Sequence, residues 1–220
     1  MRILILGTGN MAHGIATRLL VGGHAVTFYN PDRADAEQLA ARLRGEVRGD
    51  AVVATAAQPA AAAPDHDVVI LASWYAVNRQ LAQELGPALT GTVVVDISNP
   101  LNATYDGLVT APDTSAAETI RAALPAGVAL VKAFNTTFAG TLVAGQVAGQ
   151  PLDVLIAGDD QTAKDRVATL ARDGGLTPVD VGALERSRQL EAMGLLGITL
   201  QGHLGTNFGT AWKLVLPPQG

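Results

Sequence analysis

The segment with the most legible chemistry is Gly7-Thr8-Gly9-Asn10-Met11-Ala12. Each small residue in it has a reason. Gly7 permits a tight turn, Gly9 lets the backbone approach a pyrophosphate, and Ala12 lets a helix pack closely on a strand. The apolar run Ile3–Leu6 precedes it and suits a strand buried on both faces. Asn10–Val21 follows with helical spacing, Met11, Ile15, Leu19 and Leu20 sharing one face. That setting predicts dinucleotide binding over a merely structural turn, because a helix N-terminus offers free N–H groups and a positive dipole end to phosphates. A site for an unphosphorylated ribose would place an acid at the end of the second strand. Tyr29 and Asn30 stand there, and Arg33 lies three residues on. A neutral Asn30 beside a guanidinium suits a ribose 2′-phosphate, so NADP is expected over NAD. Asp32 would either repel that phosphate or cap the next helix, and Arg33 has the alternative reading of a solvated helix-start residue.

Ligands of open α/β sheets lie beyond the carboxyl ends of the strands. Three further segments follow apolar runs: Ser73-Trp74-Tyr75 after Val68–Ala72, Ser98-Asn99-Pro100-Leu101 after Thr92–Ile97, and Phe134-Asn135-Thr136-Thr137 after Val128–Ala133. They supply hydroxyls, amides and aromatic faces. Trp74 reads as a cofactor wall or as packing, and Asn135 as an amide that needs a specific partner. Lys132, inside an apolar run, is either a buried base with a lowered pKa or a side chain pointing outward. His13 is expected to face solvent or a neighbouring helix, and His24 to be structural. No serine–histidine–acid set stands out, and no carboxylate pair calls for acid–base work. Hydride transfer between two cofactors needs positioning more than a protein acid or base. The absence of cysteine excludes disulfides and thiolate chemistry, and the four histidines show no metal-ligand spacing, so no metal is expected.

The elements that must position these groups alternate. Ala25–Tyr29, Ala51–Ala54, Asp153–Ala157 and Thr177–Val181 read as strands. Ala34–Leu43, Val77–Leu85, Ala116–Ala123, Gln161–Arg172 and Leu184–Thr199 read as helices, Pro59–Pro64 as a brief helix or loop, and Asn102–Ser115 as a long surface loop. This order predicts an α/β fold: a doubly wound, mostly parallel Rossmann sheet with right-handed crossovers. Residues 1–182 would form the nucleotide-binding domain. Residues 183–220 would form a small C-terminal helical arm packing on the sheet or on a second subunit. Phe208 and Trp212 in the glycine-rich tail would anchor a dimer, cover a second ring or pack in the core. With 48% hydrophobic and 16% charged residues, the 220-residue chain has a globular balance. Its net charge of -5 excludes a broadly basic nucleic-acid footprint. No apolar run is long enough for a membrane span and the start lacks a signal-peptide pattern, so a soluble, cytoplasmic protein is expected.

On Gly7–Met11, Val95-Asp96-Ile97-Ser98-Asn99-Pro100, Val131-Lys132-Ala133-Phe134-Asn135-Thr136, and Asp180–Leu184 continuing to Glu191, the chain resembles the family of coenzyme F420-dependent NADP reductases. It is also similar to the cytosolic oxidoreductase domain of the STEAP metalloreductases. The resemblance implies a homodimeric Rossmann protein that binds NADPH along the rim, with a deazaflavin or flavin ring stacked on the nicotinamide. Carried over by position, Gly7, Thr8, Gly9, Asn10 and Met11 would hold the pyrophosphate, and Asn30 and Arg33 the 2′-phosphate. Ser73 and Trp74 would sit near the nicotinamide ribose, while Asn99, Pro100, Phe134 and Asn135 would border the nicotinamide and the second ring. Two departures separate this chain from the archaeal reductases: Asn30-Pro31 replaces a serine–arginine pair, and Asn135 stands where a histidine is usual. The Phe134-Asn135 pair is closer to the STEAP version, yet no segment matches the six-helix membrane part of those proteins. The expected activity is hydride transfer between NADP(H) and F420. The alternatives are an NADPH-dependent flavin or ferric reductase and a non-catalytic NADPH sensor. Too little chain follows residue 183 for the helical domain of an imine or 2-hydroxy-acid reductase.

Overall fold

The computed structural model describes residues 1–47 and 51–217. Its strands are β1 (Arg2–Leu6), β2 (Ala25–Tyr29), β3 (Val53–Thr55), β4 (Val68–Leu71), β5 (Val93–Asp96), β6 (Ala129–Lys132), β7 (Gln146–Val147), β8 (Gln150–Pro151), β9 (Asp153–Gly158) and β10 (Thr177–Gly182). Its helices are α1 (Asn10–Val21), α2 (Arg33–Glu46), α3 (Pro59–Ala62), α4 (Tyr75–Leu85), α5 (Ala116–Ala123), α6 (Ala139–Ala144), α7 (Gln161–Asp173) and α8 (Ser187–Leu204). Among the described residues, eight strands form one sheet in the order β10-β9-β6-β5-β4-β1-β2-β3, and β7 and β8 form a separate hairpin. Every pairing in the sheet is parallel except β6 with β9. The chain winds outward from β1 to β3, then returns to place β4 on the other side of β1. That reversal opens a crevice at the carboxyl ends of β1 and β4.

The apolar runs become strands because both faces of the sheet are covered. Ile3, Ile5, Val68, Ile70, Val93 and Val95 enter one core with α1, α2 and α7, while Leu4, Leu6, Val69, Leu71 and Val94 enter the other with α4 and α5. Each such side chain contributes about 1.5–3 kcal/mol when fully buried. Several boundaries move from those the sequence predicts. The third strand is Val53–Thr55 rather than Ala51–Ala54. The last helix runs to Leu204 after a 3₁₀ turn at Leu184–Arg186. The sequence reading has no counterpart for α6 or the β7–β8 hairpin. Helix α6 is six residues long with Thr141 and Leu142 as its buried residues, too short to show a periodic face. It docks because Gly14 of α1 has no side chain: a Cβ there would lie 2.8 Å from the Ala139 carbonyl oxygen and 2.9 Å from the Leu142 Cβ.

The arm and tail fold back on the sheet. In α8, Ser187, Leu190, Glu191, Gly194, Gly197 and Gln201 form the buried stripe. Beyond α8, Lys213 pairs with Asp153 at 2.5 Å, and the Leu214 N–H donates to the same carboxylate at 2.6 Å. The last three residues of the predicted tail lie outside the described residues. Among the described residues, no helix is long and apolar enough to cross a membrane.

Candidate active site

A cleft of about 840 Å³ opens at the carboxyl ends of β1, β2, β4 and β5. Gly7, Thr8, Gly9, Asn10, Met11 and Asn30 line it, together with Ser73, Trp74 and Asn99. Six further lining residues had no cofactor role assigned from the sequence: Ala72 after β4, Ile97, Ser98 and Leu101 after β5, Tyr105 in the following loop, and Ile198 on α8. Phe208 of the tail completes the wall.

The glycine turn divides its work between two residues. Gly7 has φ +125°, and a Cβ there would run into the carbonyl of Ala72. Only glycine fits that conformation and that approach of β1 to β4. Gly9 has no unusual φ and a Cβ there would meet nothing within 4 Å, so its missing side chain leaves open space at the start of α1. It is the N-cap of α1 and provides no side-chain cap, so the first-turn N–H groups keep their anion-binding capacity. That cradle fits a pyrophosphate. Thr8 Oγ1 accepts from Asn30 Nδ2 at 2.5 Å, and Asn30 Oδ1 accepts from the Asp32 N–H at 2.9 Å, tying the turn to the end of β2. Asp32 caps α2 through the Ala34 N–H at 2.9 Å. Arg33 is exposed at the first turn of α2, bonds to Glu37 at 2.7 Å, and lies outside the cleft lining.

Below the floor lies a buried polar network. Asp96 Oδ1 accepts from Asn78 Nδ2 at 3.3 Å, from the Ser98 N–H at 3.1 Å and from Ser98 Oγ at 2.7 Å. Asp96 Oδ2 accepts from Lys132 at 2.7 Å. Lys132 also donates to the Ser98 carbonyl and to Glu191 Oε1 at 2.8 Å. Glu191 in turn accepts from the N–H groups of Ala116 and Ala117, capping α5 from α8. Asn78, Asp96, Lys132 and Glu191 are all wholly buried.

This network corrects both sequence readings of Lys132. Lys132 points inward, not outward. Its pKa is raised, not lowered: burial alone would depress it, and Asp96 and Glu191 more than reverse that. A locked ammonium cannot serve as a base. Asp96 and Glu191, which the sequence did not bring together, share that ammonium as structural ion-pair partners outside the cleft lining. Burial pushes Glu191 up and Asp96 adds to that, while Lys132 and the Ala116 N–H pull it partly back. The available signal was a charged residue at three positions where the apolar pattern predicts burial.

Three other predicted site residues lie outside the cleft lining. Phe134 is buried at φ +63°, a strained position for an aromatic residue, in a turn where its carbonyl accepts from Thr137 N–H and Oγ1. Asn135 is buried behind Asn99: its Nδ2 donates to Asn99 Oδ1 at 2.9 Å and to the Leu190 carbonyl at 2.8 Å. Pro100 is buried, its carbonyl accepting from the Val109 N–H. A phenylalanine at the end of a buried strand enters the core because its area outweighs the backbone strain. His13 is buried against α2, with Nε2 2.6 Å from Glu46. His24 is buried between the N-terminal amine, at 3.1 Å, and Asp173, at 3.2 Å, a structural place.

A family model described as "NADP oxidoreductase coenzyme F420-dependent" matches residues 2–100. The F420-dependent NADP reductase of Methanocaldococcus jannaschii is 31% identical over 214 residues, covering 91% of this chain and 93% of that protein. The metalloreductase STEAP3 of Rattus norvegicus is 33% identical over 196 residues and covers 88% of this chain, which spans 36% of that protein's length. A crystal structure from Arthrobacter sp. FB24, provisionally described as an F420-dependent NADP reductase, has a TM-score of 0.82 at 29% identity, covering 97% of this chain and 99% of that one. With a relative of this identity aligned over nearly its whole length, the chain belongs to the family of F420-dependent NADP reductases.

Proposed function

We propose that this NADP-dependent oxidoreductase transfers hydride between NADP(H) and the deazaflavin F420, both held in the one cleft. The observation that carries this reading is the lining itself. The uncapped N-terminus of α1 and three exposed aromatic side chains, Trp74, Tyr105 and Phe208, share one cavity. Among the described residues lining it, none is Asp, Glu, His, Lys or Arg. Such a site binds and orients flat rings and has no charged acid or base to offer. The cofactors would supply the redox chemistry, and the protein supplies alignment and the exclusion of water.

In this reading the Gly7–Met11 turn holds the pyrophosphate, Ser73 and Trp74 flank the nicotinamide ribose, and Asn99 borders the nicotinamide. Asn30 and Arg33 read the 2′-phosphate. Arg33 would leave an exposed pairing with Glu37, which costs at most about 1 kcal/mol. Pro100, Phe134 and Asn135 support this wall from behind. Residues 183–220 act as an arm. Exposed Leu196 and Leu204 on α8 and Leu214–Leu216 in the tail support its packing against a second copy in a cytoplasmic homodimer. The likeness to STEAP3 supports a second reading, the same cleft with a flavin as acceptor and ferric ion as the final one.

Anaerobic NADPH oxidation run in parallel with F420, FMN, FAD and no acceptor tests both. Rapid reduction of F420 alone is the expected result. Turnover with FMN or FAD but not F420 selects the second reading, and tight NADPH binding without any turnover would make the protein a sensor.

A further inference from the structure

The hydrogen-bond polarity of the cleft floor is set by groups the ligand never touches. Asp96 is surrounded by donors: the Asn78 amide, the Ser98 N–H and the Lys132 ammonium. Oδ1 already accepts from Asn78 and the Ser98 N–H, and Oδ2 from Lys132, so at the remaining contact the Ser98 hydroxyl donates to Oδ1. The single Ser98 hydrogen is spent below the floor. Ser98 lines the cleft at 4% exposure, and with that hydrogen committed to Asp96 its Oγ can meet a ligand only as an acceptor.

The neighbouring Asn99 is fixed in the opposite sense. Backbone carbonyls can only accept, which orients both amides without ambiguity. The Leu190 carbonyl takes Nδ2 of Asn135, and the Asn135 carbonyl takes Nδ2 of Asn99 at 2.9 Å. Asn135 Nδ2 also fills Asn99 Oδ1. One N–H of Asn99 is left over, on a residue that lines the cleft. Helix α8 holds this pair in place: a Cβ at Gly194 would collide with the Asn99 amide.

An acceptor-only oxygen beside an unused N–H is the complement of a primary carboxamide, whose NH₂ donates and whose C=O accepts. A carboxylate would face Ser98 Oγ with no donor, and an acetyl group would leave that oxygen unmet. We infer that Ser98 and Asn99 read the nicotinamide carboxamide, Ser98 by accepting from its NH₂. Lys132 and Asp96 would act as positioning residues that keep Ser98 in that sense. This rests on the assignment of the cleft to NADP(H).

Calorimetry of the full chain with NADP⁺, its 3-acetylpyridine analogue and its nicotinic acid analogue tests the inference without turnover. In the wild type, NADP⁺ should bind about tenfold more tightly than either analogue, the equivalent of one well-formed hydrogen bond. In Ser98→Ala, NADP⁺ should fall to the level of the acetylpyridine analogue while that analogue is unchanged. A wild type that binds all three alike overturns the inference, and needs no variant to do so. A uniform loss in Ser98→Ala also overturns it, because Ser98 would then act on another part of the cofactor or on the fold. No binding of any of the three would instead overturn the assignment of the cleft to NADP(H).

Discussion

Gly7 and Gly9 look alike in the sequence and do different work. At Gly7 a side chain meets the Ala72 carbonyl and a φ of +125°. Gly7→Ala should therefore cost about 1–3 kcal/mol of stability or more, read from urea unfolding of the free protein. At Gly9 a side chain meets open space. Gly9→Val should leave unfolding nearly unchanged and lower NADP affinity about a hundredfold, roughly 2.7 kcal/mol, by filling the phosphate cradle. Unchanged affinity in calorimetry would remove the pyrophosphate from this turn. The motif was readable from residue types, but the division of labour was not. It depends on Ala72, a residue 65 positions away that β4 brings beside β1.

Strands and long helices were legible because their apolar period exceeds local noise: α1, β2 and α5 fall where the sequence places them. Helix α6 was not, because six residues carry little periodicity. The link between elements was equally hidden. Lys132 joins β6 to β5 through Asp96 and to α8 through Glu191, and Glu191 caps α5. Lys132→Met would leave two carboxylates buried without their cation, at a cost of about 3–5 kcal/mol. Denaturant unfolding that shows a loss under about 1 kcal/mol would mean that packing, not this cluster, holds α8 to the sheet.

Across the whole molecule, the C-terminal arm completes the cleft. Ile198 and Phe208 reach the lining, and Phe208 meets Phe138 edge-to-face with ring centres 5.3 Å apart. The arm is clasped from outside by Arg188 of α8, which binds Glu118 of α5 through two nitrogens, at 2.6 and 2.9 Å. Arg188 holds the Glu118 carboxyl below the ordinary carboxylate range, against opposing burial. A carboxylate depressed by folding contributes stability above its unfolded pKa and loses it as pH falls through the folded value. The melting temperature of Glu118→Gln should thus lie below that of the wild type at neutral pH, and the gap should close on acidification. A gap that persists at acid pH would show that the clasp acts by shape and not by charge.

By itself the sequence determined the fold class, a doubly wound and mostly parallel sheet, through alternating apolar runs and helical periods, and the glycine turn, whose residues are contiguous; the order of the strands and the antiparallel pairing of β6 with β9 came only with the fold. It also determined the family, through four short segments. Only the tertiary structure decided the state of Lys132, the withdrawal of Phe134 and Asn135 behind the floor, and the polarity of Ser98. The state of Lys132 and the place of Asn135 depend on partners 34 to 59 residues away in sequence, and the Asp96 that fixes Ser98 is itself held by Lys132, 36 residues on. Burial and hydrogen-bond direction are set by what surrounds a group once the chain has closed. A side chain's type limits what it can donate or accept, and its neighbours in space decide which of those capacities is left for a ligand.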